Sequence, residues 1–92
     1  MWQLTPGQSL LARQFGDEFV LYNDLSGDTH LLGASAMHAL RLLQPAPASF
    51  DTVADALAQA AGGARDSEFD AEVSAVLGQL ASLSLVSPLH TP

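Results

Sequence analysis

The feature that most constrains this chain is a change of hydrophobic period at Gly33. Ahead of it, short runs rich in β-forming residues are separated by Gly- and Asp-containing turns. After it, apolar residues recur at three- and four-residue intervals. The first pattern makes antiparallel strands and the second makes amphipathic helices. Strands followed by helices form one α+β domain.

Ser9–Phe15 is a mostly apolar run closed by Gly16-Asp17, a two-residue hairpin turn. Glu18–Asn23 is the strongest strand in the chain, because its aromatic and β-branched side chains suit a pleated, half-buried surface. Asp24-Leu25-Ser26-Gly27 turns the chain again, with Gly27 able to take positive φ, and Asp28–Leu32 makes a short third strand. Trp2–Leu4 is expected to add a small edge strand. Leu32, Ala36, Ala39, Leu40 and Leu43 then trace one helix face until Pro45 and Pro47 stop it. Ser49 is placed to cap a second helix, whose face is Phe50, Val53, Ala54 and Leu57 and whose end is Gly62-Gly63. A third helix starts at Asp66 or Ser67, with carboxylates in its first turns as the macrodipole favours. It buries Phe69, Val73, Val76, Leu77 and Leu80; Leu83–Val86 leaves it, and Pro88 closes the ordered part. The expectation is a single domain over residues 1–92, ordered from residue 2 to 88: a three-stranded antiparallel sheet followed by a three-helix bundle.

At 92 residues the chain can bury roughly 60–65% of its unfolded surface, enough for one core without cross-links. Three basic residues against ten acidic ones give a net charge of −7. Nucleic-acid binding needs clustered Lys or Arg to displace counterions, whereas Arg13, Arg41 and Arg65 lie far apart in sequence. Anionic membranes are disfavoured for the same reason. No apolar run approaches membrane-spanning length and no basic-then-apolar segment opens the chain, so the cytoplasm is the expected compartment. The lack of cysteine excludes disulfides, thiolate metal sites and a cysteine nucleophile. The lack of lysine removes a Walker-type phosphate lysine and Schiff-base chemistry.

Gly33-Ala34-Ser35-Ala36-Met37 approaches a nucleophile elbow but lacks the closing glycine, and a helix start accounts for it. His30, His38 and His90 form no metal-binding pair, and His38 reads as a part-buried helix residue among Ala and Leu. Asp66, Glu68, Asp70 and Glu72 lack the glycine-bearing loop of a calcium site and read as a capped, solvated helix start. No catalytic residue, metal or cofactor is expected. The third strand remains, as a possible sheet edge with N–H and C=O groups that an extended peptide can pair with. With Leu32 facing the core, period two puts His30 beside it and Thr29 and Leu31 on the outer face. Leu31 is then apolar with nothing local to cover it, unless the N-terminal segment or a dimer partner does.

The run Gly27-Asp28-Thr29-His30-Leu31-Leu32 leading into Ala36–Leu43 resembles the PqqD family, small peptide-binding proteins named from pyrroloquinoline quinone biosynthesis. The match continues in Ser49-Phe50-Asp51-Thr52-Val53 with Leu57, then Glu72-Val73, Leu77, Leu80 and Leu85-Val86, and spans about Gln8 to Val86. Trp2-x-Leu4-x-Pro6-Gly7-Gln8 and Tyr22-Asn23-Asp24-Leu25-Ser26-Gly27-Asp28 are similar to one subgroup, the PqqD-like chaperones associated with an HPr-kinase-related protein. Three positions depart from the pattern: Gly33 replaces an Asn, Gln44-Pro45 replaces an Asp-Gly, and Ser84 stands where glycine is common. The resemblance implies a winged-helix-like RiPP recognition element, non-catalytic, that holds the leader of a ribosomally made precursor peptide. Its implied partners are that peptide and a modifying enzyme or the HPr-kinase-related protein.

On this reading the leader adds as a strand along Asp28, Thr29, His30, Leu31 and Leu32, with its side chains resting on the third helix. Leu31 and Val76 are the expected apolar anchors, and Thr29, Glu72 and Gln79 the rim. The protein is expected to be a monomer or weak homodimer that self-associates through the same edge. The alternative is an acidic winged-helix scaffold that binds a folded partner; a nucleic-acid-binding winged helix conflicts with the charge.

Overall fold

The computed structural model describes residues 1–89. The chain runs β1 (Trp2–Leu4), β2 (Leu10–Phe15), β3 (Glu18–Asn23), β4 (Thr29–Gly33), α1 (Ala34–Leu43), α2 (Phe50–Ala60), α3 (Ser67–Ser82) and β5 (Val86–Pro88). The sheet β2-β3-β4 is antiparallel throughout, and its hairpin turns use Gly16 and Gly27 at positive φ. The α+β class, the three-stranded sheet and the three helices are those the sequence pattern predicts.

The chain ends differ from expectation. Trp2–Leu4 does not extend the three-stranded sheet; it pairs antiparallel with β5, Leu4 opposite Val86, in a second sheet. Trp2 also exchanges both backbone hydrogen bonds with Ala48 between α1 and α2, at 2.7 and 2.9 Å. This pairing stands out weakly in sequence, because each partner has only three residues and more than eighty residues separate them. Leu32 lies in β4, as the strand reading has it and not on the face of α1, and Gly33 is the N-cap of α1, with no side-chain cap bond. The helical spacing from Leu32 to Ala36 is a coincidence across that junction.

The core is a continuous cluster between the inner face of β3-β4 and the three helices. Leu21 and Leu32 meet Ala39 and Leu40 of α1, Val53 and Leu57 of α2, and Val73, Leu77 and Leu80 of α3, with Leu85 and Val86 closing one end. β2 projects beyond this cluster and is exposed from Leu11 to Phe15. Asn23 is the buried polar side chain: its Nδ2 donates to Gln8 Oε1 (3.0 Å) and its Oδ1 accepts from the Leu25 N–H (3.0 Å). Gln8 Nε2 then donates to the Leu85 carbonyl (2.8 Å), tying the sheet to the C-terminal segment.

The helix ends follow local chemistry. Ser49 accepts from the Thr52 N–H and Asp66 from the Phe69 N–H, each satisfying a first-turn donor. Arg65 pins α2 to α3 by reaching Asp70 (2.6 Å), Asp51 (2.7 Å) and Asp55 (3.0 Å). The hydrogen bond from Arg65 holds the Asp70 carboxyl below the usual carboxylate range. At the end of α3, the Leu85 N–H reaches the Leu80 carbonyl and the Ser84 N–H reaches Ala81. This is a Schellman turn, and Ser84 sits in it at φ 61°, the left-handed region that favours glycine.

Two outcomes follow for stability. Ser84→Gly relieves the left-handed strain at the cost of unfolded-state entropy, and raises stability by up to about 1 kcal/mol in urea unfolding. Arg65→Gln lowers the melting temperature at neutral pH. Because the Asp70 pKa is depressed in the folded state, this contribution is present above the unfolded value of about 4 and is lost as pH falls through the folded value. Melting curves of the two proteins therefore converge under acid, and a gap that stays constant would contradict the assignment.

Candidate functional site

β2 and β4 are the outer strands of the three-stranded sheet. Of the two, β4 packs against α1. The side chains of β2 from Leu11 onward are exposed on both faces, so a strand added there would rest on nothing. On β4, Leu32 is buried and His30 half-buried on the face toward the helices, while Thr29 and Leu31 point the other way. Leu31 is 61% exposed.

The ladder fixes which backbone groups are free. The Asn23 N–H donates to the Asp28 carbonyl (2.9 Å), and hydrogen-bonded and non-bonded positions alternate from there along an antiparallel pair. That phase turns the N–H and C=O of His30 and Leu32 toward β3 and those of Thr29 and Leu31 toward the open edge. Asp28 precedes the strand and closes the turn, its N–H donating to Ser26 Oγ.

A cleft of about 100 Å³ opens among the helices, bounded by Ser35 at the start of α1, Leu57 on α2, and Phe69, Glu72 and Val76 on α3. Glu72 and Val76 thus share one cleft. Gln79 lies on the same flank of α3, exposed and outside the lining of that cleft. Leu31 and Val76 do not meet: one is on the outer face of the sheet, the other among the helices on its inner side. A strand added at β4 would present alternate side chains to each. Ser35, Leu57 and Phe69 are boundary residues that sequence reading assigned to a helix start or the core. Their convergence on this cleft depends on how the three helices pack.

His30 has a further property. Its Nε2 is buried and has no hydrogen-bond partner among the described residues. Such a group costs free energy in the empty protein. His38 is half-buried and lines a larger open cleft of about 480 Å³ with Phe19 and Arg41, on the other flank of α1. His90 lies outside the described residues. Among the described residues no three His, Asp or Glu side chains gather where they could hold a metal ion, and no helix is long and apolar enough to cross a membrane.

No family model and no curated protein matches the chain. Solved structures do. "TbiB1 in Complex with the TbiA(beta) Leader Peptide" superposes with a TM-score of 0.67 and 19% identity over 97% of this chain and 99% of that one. "Lasso peptide synthetase B1 complexed with the leader peptide" gives a TM-score of 0.65 and 20% identity over 95% and 98%. The fold is PqqD-like. Both superpositions extend over nearly the whole of each chain.

An orphaned buried imidazole nitrogen predicts that its removal stabilises the fold. His30→Leu keeps the volume, removes the unpaired polar atom and raises folding stability by about 1 kcal/mol in urea unfolding. A marked loss of stability would show that His30 is bonded in the free protein.

Proposed function

We propose that this chain is a non-catalytic peptide chaperone, which takes the leader of a ribosomally made precursor as a strand along β4 and presents it to a modifying enzyme. The observation that carries this reading is the open β4 edge at Thr29 and Leu31, with the cleft among the helices at Glu72 and Val76. It is supported by the shared fold with two proteins solved with leader peptides bound. His30 and Leu32 alternate with them along the strand, Asp28 leads into it, and Gln79 extends the rim along α3. The modifying enzyme, or an HPr-kinase-related protein, is the second partner, and the cytoplasm is where both would be met.

Magnitudes set the form of binding. Thr29 and Leu31 offer four main-chain groups, which at about 0.5–1.5 kcal/mol net each contribute roughly 2–6 kcal/mol. Alone that corresponds to tens of micromolar at best. Tighter binding needs apolar side chains of the leader against Val76 on one face and Leu31 on the other. The exposed carboxylates of Glu68 and Glu72 favour a leader with Arg or Lys beside its apolar anchors, and salt weakens such an attraction.

Leu31→Asp tests the site, because it places a charge beside the added strand and leaves the core face of β4 untouched. With fluorescent synthetic leader peptides selected for binding to the parent protein, the variant loses at least about tenfold in affinity. Its circular dichroism and melting curve stay those of the parent. Unchanged affinity in the folded variant would refute the β4 site.

A further inference from the structure

The outer face of the β2-β3-β4 sheet is apolar and uncovered. The register sets it out in three rows: Leu11, Tyr22 and Thr29; Arg13, Val20 and Leu31; Phe15, Glu18 and Gly33. Leu11 is 66% exposed, Phe15 and Leu31 each 61%, and Tyr22 39%. Contiguous apolar surface of this kind marks an interface. The peptide reading uses only Leu31 at one border, leaving Leu11, Phe15, Val20 and Tyr22 without a role.

We propose that this face packs against the same face of a second copy, two sheets crossing near 90° with Arg13 of each copy paired to Glu18 of the other. The charge pattern identifies the occupant. Although the chain carries −7, its outer sheet face holds one cation and one anion, Arg13 and Glu18, in adjacent rows and adjacent strands. A two-fold axis along the diagonal of the face exchanges those two positions and crosses the strands at right angles, one of the two preferred ways in which sheets pack. The same axis sets Phe15 on Phe15, Val20 on Val20, and Tyr22 on Leu31. An axis along the strands would instead stack Glu18 on Glu18, and one across them Arg13 on Arg13. The face is therefore self-complementary in one orientation, as an isologous dimer requires. The backbone edge of β4 stays open in that dimer, so self-association and strand addition use different backbone groups and share the Leu31 side chain alone.

Sedimentation equilibrium of the full chain, without peptide, tests this between about 10 μM and 1 mM. The expected result is a reversible monomer–dimer equilibrium that Phe15→Glu abolishes. Arg13→Glu and Glu18→Arg each weaken the dimer about tenfold, since every dimer contains the pair twice. The double variant, with the charges exchanged, recovers the parental constant. A chain that stays monomeric throughout, or dimerises without rescue by the charge exchange, overturns the proposal, whether or not some other protein covers the face. Phe15, Arg13 and Glu18 lie off the β4 edge, so leader affinity measured on the same variants, at concentrations where the parent is monomeric, is unchanged. A parent chain that binds peptide but does not dimerise fails only this inference; one that dimerises but does not bind peptide fails only the peptide reading.

Discussion

Burial of Leu32 is the constraint on which the rest depends. It is 2% exposed, in the strand that begins the passage from sheet to helix. Its anchoring in the helix core holds β4 in place without a second neighbouring strand. An edge strand that is rigid and unpaired offers N–H and C=O groups in a fixed line, so little ordering cost falls on the protein when something pairs with them. Period two then decides the remaining assignments: His30 goes inward with Leu32, and Thr29 and Leu31 go outward.

Much of this was legible in the sequence. Gly16 and Gly27 marked the two hairpin turns, and both take positive φ. The helix faces were legible because burial imposes its period directly, as at Ala36, Ala39, Leu40 and Leu43. Ser49 and Asp66 were readable caps because their effect is local. What stayed hidden is what depends on long-range packing. The β1–β5 pair joins three-residue segments from opposite ends of the chain, and the Asn23–Gln8–Leu85 bridge links three separate parts of it. At the site, period two resolves the two faces of β4, but the cleft walls at Ser35 and Phe69 follow from how helices of unrelated sequence spacing come together.

Charge is distributed by role. Asp66 caps α3, and Asp51, Asp55 and Asp70 converge on Arg65 to lock α2 against α3. Glu68 and Glu72 stay exposed on α3, where they bias the surface against anionic ligands. That exposed acidic surface disfavours a phosphate backbone.

The most direct test of the central claim is amide hydrogen exchange at Thr29 and Leu31, read by NMR with and without a leader peptide. In the free protein both amides face the open edge, so they exchange rapidly while those of His30 and Leu32 are protected by β3. Saturation with peptide slows Thr29 and Leu31 selectively. Strong protection of these two amides in the free protein, or peptide binding that leaves both exchanging at their free rates, would contradict strand addition at β4.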